Sequence, residues 1–425
     1  FFWKQLGSFV VRSLNEGFSK GEMSITQKEG IIICLPKGDK PKEYLKNWRP
    51  ITLLNVVYKI GSASIANRIK LTLPKLISED QTGFVPGRYI GDSIRIIYDL
   101  IHYLEEKKLP GLLVSIDFEK AFDSVSWEYM KKVLKAFGFG NDICRWIFAF
   151  YNEIKARVVV NGKMSTTFKI ERGCRQGDPV SPYLFALCVE VLACKIREDA
   201  DIEGIKIADT ELKIVQFADD TSFTLGGKRK SHEKLFKRLG DFEIISGLKL
   251  NYEKTVNVWL GSKKNSKEIY SGHKKMEWNP QRFKILGIWF TTDLSRVTEI
   301  NIEDKLFEVK NLFRIWLQRI ITPLGRIAIL KSMILSKLIY LWILLPNPPT
   351  LQIKQIQKMC FEFVWDKKTD KIKRKYSVHS IEKGGTGIPD IEKCMHALKL
   401  VWIRKLCTRS LKWTKIIRYP CHEID

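Results

Sequence analysis

The sequence predicts an α+β body followed by a mostly helical, basic carboxyl-terminal segment. Three observations carry that expectation. Short runs rich in β-branched and aromatic residues alternate with amphipathic helical patterns up to about residue 297. Beyond Thr298 long helical patterns rich in Lys, Arg and Trp take over, with breaks at Pro323, Pro346 and Pro348-Pro349. The chain has 425 residues and is 45% apolar, enough for two or three domains, each with its own core.

The elements follow in chain order. Residues 1–24 read as a helix and 30–36 (GIIICLP) as a strand. A basic, proline-bearing loop follows, and 47–51 (NWRPI) leads into a helix ending near Leu73-Pro74. A helix is expected over 92–107 and an apolar strand over 111–118, with Asp117 near its end. The pattern of 127–150 is helical. Residues 156–161 and 166–170 read as a hairpin around Gly162, and 182–196 as a helix. The runs 212–217 and 221–225 read as strands joined by a tight turn at Asp219-Asp220. A helix over about 230–246 and strands over 256–260 and 283–290 complete the body.

A formal charge of +25 predicts a polyanionic partner, with nucleic acid ahead of an acidic membrane surface. Nine scattered cysteines without a CxxC pair argue against a disulfide scaffold and suit a reducing compartment. Cys394 with His396, and Cys421 with His422, match no common zinc spacing, and ordinary cysteines are the better reading. The most apolar stretch, 327–345, contains Lys331 and Lys337, so it reads as a buried amphipathic helix and no membrane partner is expected. The chain opens at Phe1 inside an amphipathic pattern, which leads us to expect a piece of something longer.

Asp219 and Asp220 share one turn, and like charges that close repel. A bound cation is the usual reason to keep such a pair. Asp117, at the end of another strand, supplies a third carboxylate, although alone it reads better as a helix cap or surface charge. Three such acids would suit two Mg²⁺ ions, which favour a few carboxylates plus substrate phosphates. Two ions would clamp the attacking and leaving oxygens of a phosphoryl transfer. Phe122, in the run 117–123 (DFEKAFD), either fills core space or sets a bulky ring against a sugar 2′-hydroxyl. The loop 172–179 (RGCRQGDP) has two glycines for close backbone approach, with Arg175 and Gln176 placed to meet a nucleotide or template. Lys37 and Arg49 would hold a triphosphate, the arginine bidentately.

Taken together, these segments resemble the reverse transcriptases. DFEKAFDSVSW from Asp117, RGCRQGDPVSPYLF (172–185) and FADD (217–220) resemble that family's A, B and C motifs in order and spacing. NWRPITLLNVVYKI (47–60), ANRIK (66–70), QTGFVPGRYI (81–90), SGLKLNYEKT (246–255), KILGIWF (284–290) and GGTGIPDI (384–391) resemble the version in LINE-type non-LTR retrotransposons. The resemblance implies a right-hand polymerase that copies RNA into DNA with dNTPs and two Mg²⁺, Mn²⁺ being able to substitute. It implies fingers and an amino-terminal extension over 1–110, a palm with inserted finger elements over 111–296, thumb helices over 297–350 and a helical segment over 351–425.

The resemblance also assigns roles. Asp117, Asp219 and Asp220 would be the catalytic metal ligands, with Asp219 ahead of Asp220. Phe118 to Phe122 would flank the triphosphate, Phe122 would exclude ribose, and Arg175, Gln176 and Gly177 would line the nucleotide side. Lys37 and Arg49 would bind triphosphate from the fingers, and Lys249 or Lys254 would protonate pyrophosphate. Leu286 and Gly287 would grip the primer. The implied partners are an RNA template, a DNA primer or target, and dNTPs. The implied location is intracellular, nuclear at the point of action and cytoplasmic as a ribonucleoprotein. Relatives usually carry an endonuclease, which nothing in this sequence represents. A catalytically decayed, RNA-binding descendant is the alternative, and an RNA-directed RNA polymerase the third reading, opposed by Phe122.

Overall fold

Strand Pro110–Ile116 is central to a five-stranded sheet, and it delivers Asp117 to the sheet's end. The strand order is Glu277–Trp278, Val256–Gly261, Pro110–Ile116, Asp220–Leu225, Ile214–Phe217. Asp220–Leu225 runs antiparallel to both of its neighbours. The computed structural model describes residues 2–38, 40–270, 275–408 and 414. Two units are resolved within it.

The first unit comprises Phe1–Ser93, Pro110–Trp259 and Asn265–Asn279. It holds that sheet and a second one, in which Glu29–Pro36 pairs antiparallel with Trp48–Leu54 and parallel with Lys155–Val160. Helix Ser181–Glu198 is the centre of its core: Leu184 to Glu190 are all buried. Helices Val56–Leu76, Trp127–Ala136, Asn141–Ala149 and Arg229–Ser246 pack their apolar residues into the same cluster.

The second unit comprises Ile94–Leu109, Leu260–Lys264 and Pro280–Asp425. Its helices include Val297–Leu317, Ser336–Leu344, Thr350–Val364 and Ile391–Thr408. A two-stranded hairpin, Phe283–Ile285 with Ile288–Phe290, precedes them.

The α+β class is as expected, with three local differences. Residues 48–54 form a strand, where the sequence reads as a lead into a helix. Trp48–Leu54 lies at a sheet edge, where the N–H that Pro50 lacks is not needed. The helical pattern of 127–150 is two helices, broken at Gly138, whose φ is 78°. The apolar stretch 327–345 is likewise not one helix. Pro323–Ile334 and Ser336–Leu344 meet at 49°, and a π-helical turn occupies Leu330–Ile334. Among the described residues no single helix is long and apolar enough to cross a membrane.

Candidate active site

The strand register builds the site. Thr221 is paired with Ile116, and Phe217 with Asp220, so the turn Ala218-Asp219 falls beside Asp117. Ala218 takes a left-handed conformation, φ 57°, to close that two-residue turn. An alanine there is strained, because its Cβ crowds the backbone. The neighbouring segment 80–83 holds it in place. Gln216 N donates to Asp80 O at 2.8 Å, and Thr82 N to Gln216 O at 2.9 Å. The buried Gln81 amide then takes both backbone groups of Ala218. Its Oε1 accepts from Ala218 N at 2.9 Å and its Nε2 donates to Ala218 O at 3.2 Å. Gly83 lies so close that a Cβ there would collide with Ala218 N.

Asp117 is held from the other side. Phe118 bridges Leu250, Glu119 N donates to Lys249 O at 2.9 Å, and Asn251 N donates to Asp117 O at 2.8 Å. This places Lys254 Nζ 2.6 Å from Asp117 Oδ2. Lys249 meets Glu119 through its carbonyl, and of the two candidate lysines Lys254 is the one paired with Asp117. The side chain of Phe118 is buried, 6.4 Å from Phe242 between ring centres, so only its backbone can flank a ligand.

The carboxylates disturb one another. Burial, then Asp219, then Asp117 push the Asp220 carboxyl up to about 6, and Lys254 opposes the shift. The Asp219 carboxyl is raised by burial above all and further by Asp117, while a backbone hydrogen bond, Arg49 and Lys254 lower it. Burial also raises Asp123. A rim of cations faces the acids. Burial lowers the Lys37 ammonium, and Lys254, Arg49 and Lys40 lower it further. Lys37 Nζ donates to Lys46 O at 3.0 Å, and Arg49 is exposed.

The loop 172–180 packs directly on the segment after Asp117. Gly173 N donates to Val125 O at 2.8 Å and Cys174 N to Phe122 O at 2.6 Å. Gly177, φ 109°, sits so that a Cβ would meet Thr52 O at 2.5 Å. Gln176 is half-buried, its carbonyl accepting from Thr52 N at 2.9 Å. Phe122 stacks on Phe185 at 4.3 Å between centroids, with 17° between planes.

Arg175 is a correction. Its guanidinium is buried rather than turned to a ligand: it donates to Phe150 O at 3.1 Å and lies over the Tyr58 ring at 4.5 Å. A buried guanidinium must find acceptors, and carbonyls at Lys28 and Phe150 supply them. Its neighbour Asp178 also turns inward, accepting from Tyr58 Oη at 2.9 Å and from Ser62 Oγ. Burial raises the Asp178 carboxyl, while Arg175 holds it down. These two charges anchor the loop to helix Val56–Leu76, a role the linear sequence did not separate from ligand binding.

Leu286 and Gly287 belong to the second unit. They form the tip of its hairpin with φ 48° and 86°, and Tyr340 Oη donates to Leu286 O at 2.8 Å.

Among the described residues no set of three or more His, Cys, Asp or Glu side chains is closed around a metal position. Asp117 is turned to Lys254 instead. The donor set nevertheless fits hard cations: it is all carboxylate, and its members raise one another's proton affinity, a repulsion that a divalent ion would relieve. Cys394 and His396 belong to no metal set among the described residues, and Cys421 and His422 lie outside them.

The chain is 28% identical over 410 residues to the transposon TX1 uncharacterized 149 kDa protein of Xenopus laevis, covering 95% of this chain and 31% of that protein. It is 27% identical over 263 residues to the Pol polyprotein from retrotransposable element R2DM of Drosophila melanogaster, covering 58% and 24%. The chain thus spans a third or less of these relatives' length. A telomerase from Candida tropicalis, solved with a fragment of telomeric RNA, overlaps 98% of this chain and 67% of that one, at TM-score 0.48 and 13% identity. That overlap is too loose to bear on function. The model of the reverse transcriptase (RNA-dependent DNA polymerase) family matches residues 35–290, a span that holds Asp117, Asp219, Asp220 and the loop between them, and the chain belongs to that family.

Proposed function

We propose that this chain is the polymerase portion of a non-LTR retrotransposon protein, copying an RNA template into DNA from a DNA primer or target with dNTPs. The observation that carries it is the strand register that sets the Asp219 turn beside Asp117 within a reverse transcriptase domain. Relatives named as retrotransposable-element proteins support the placement.

Reverse transcriptases use divalent metal ions, and here we assign Mg²⁺, with Mn²⁺ able to replace it, to Asp117, Asp219 and Asp220. Two ions bound there would polarise the reacting phosphate and lower the proton affinity of the primer 3′-hydroxyl. The chain's own groups do the rest. Lys37 and Arg49 draw in the triphosphate by charge. The hydroxyl loses its proton to solvent water, and its oxygen forms a bond to the α-phosphorus as the bond to the β-phosphate bridge breaks. Lys254 Nζ, already beside Asp117, donates a proton to the departing pyrophosphate. Phe122, backed by Phe185, crowds a 2′-hydroxyl and favours deoxyribose. Gln176 and Gly177 line the nucleotide side. We assign primer contact to the backbone of Leu286 and Gly287 at the hairpin tip.

We place the protein inside the cell, in the nucleus when it acts and in the cytoplasm as a ribonucleoprotein. The eight described cysteines are all free, which suits a reducing compartment. Fractionation that never finds it in nuclei would remove that part of the proposal.

Primer extension tests the activity. Wild-type protein with an RNA template, DNA primer, dNTPs and Mg²⁺ is expected to extend the primer, and Asp219→Ala to lose at least about a thousandfold in rate, in keeping with several kcal/mol of lost charge stabilisation. Normal RNA binding with extension no faster than Asp219→Ala would select the non-catalytic RNA-binding reading. Faster use of rNTPs than dNTPs would select RNA synthesis.

A further inference from the structure

Phe84 is the least expected side chain near the site. It has φ 61°, the left-handed region that a bulky residue seldom adopts, and it is 39% exposed. Its ring meets Phe122 edge to face, 6.1 Å between centroids and 89° between planes. Phe122 also stacks on Phe185, 4.3 Å between centroids. Phe122 is therefore held in a three-ring series, with Phe185 in the core and Phe84 at the solvent edge.

The backbone around Phe84 is fixed on both sides. Before it, Gly83 presses on Ala218, and Thr82 bonds Gln216 O and Ser93 Oγ. After it, Val85 is buried, and Arg88 donates to Ile77 O and Gln81 O, both at 2.6 Å, and to Ser78 O. Strain of this kind persists only where surrounding contacts over-determine it. Glycine would fit this conformation without strain. What the strained position provides is a ring set against Phe122.

We propose that Phe84 is a specificity-determining positioning residue, whose ring braces Phe122 against Phe185 and so sets how strictly the nucleotide pocket rejects a 2′-hydroxyl. The inference rests on Phe122 as the sugar gate of the proposed polymerase. Without Phe84 one side of Phe122 is open to solvent, and the ring can swing away from an incoming ribose.

The test is kcat/KM for one dNTP and its matching rNTP, measured with wild-type protein and the variants Phe84→Gly, Phe84→Tyr and Phe122→Ala. Phe84→Gly relieves the backbone but loses the ring contact, so the two effects oppose and it is expected to stay folded with a melting temperature near that of wild type. Its dNTP-over-rNTP ratio is expected to fall about 2- to 12-fold, the factor equivalent to the ~0.5–1.5 kcal/mol of an edge-to-face pair. Phe84→Tyr restores the ring and keeps the ratio. An unchanged ratio in Phe84→Gly, while Phe122→Ala loses discrimination, overturns the brace and leaves the gate standing. An unchanged ratio in Phe122→Ala overturns the gate, and the brace with it. A wild-type chain that incorporates no nucleotide overturns the polymerase reading itself.

Discussion

At the scale of single residues, the turn carboxylates carry a charge cost that can be measured. An ordinary Asp carboxyl titrates near 3.8, and Asp220 is pushed up to about 6. Its charged form is thus the disfavoured one in the folded chain. Between these values the folded chain keeps a proton that the unfolded chain has released. Stability from this group is complete below about pH 4 and lost as pH rises through about 6. Asp220→Asn is therefore expected to melt higher than wild type at about pH 7.5 in chelator, with the gap closing below about pH 4. Melting curves across that range check it, and a gap independent of pH would contradict it.

At the scale of elements, the Asp219-Asp220 turn is not self-sufficient. A two-residue loop with alanine in a left-handed conformation is held by an amide from a segment 137 residues away in sequence. Gln81 also accepts from Gly83 N at 2.8 Å, so one side chain joins two stretches of backbone. Gln81→Ala leaves buried backbone groups of Ala218 and Gly83 unpaired, at a cost of about 1–3 kcal/mol. The expected result is a lower melting temperature and a kcat loss larger than any change in KM, because Asp219 moves while nucleotide contacts remain. Loss of stability with kcat intact would show that the clasp serves folding alone. The loop 172–180 follows the same rule: Arg175 and Asp178 face inward to hold it, leaving Gln176 and Gly177 on the side open to a ligand.

At the scale of the whole molecule, the charge of +25 is the dominant quantity. Contacts between lysines or arginines and phosphates release counterions, so RNA affinity is expected to fall steeply with salt. For single-stranded RNA the slope of log K against log salt is about −0.7 per phosphate neutralised. A titration between about 50 and 200 mM salt, giving a slope of at least about −3, would match four or more such contacts. A flat response would mean that the basic surface does not hold nucleic acid.

The linear sequence determined the class of fold, most of the strands and helices, and the three acids with their spacing, because periodicity and turn chemistry are local. The long helices beyond residue 298 and the Asp219-Asp220 turn were legible for the same reason. Tertiary structure decided what local pattern cannot carry. Residues 48–54 became a strand because the edge of a sheet accepts Pro50. The stretch 327–345 bent because its backbone makes a π turn. Arg175 left the nucleotide side because burial had two carbonyls and an aromatic face to offer it. Gln81 and Phe84 were visible only as letters of a family-like segment, since hydrogen bonding to Ala218 and edge contact with Phe122 exist only once distant strands pair. The acids were written in the sequence, and the means of holding them were made by the fold.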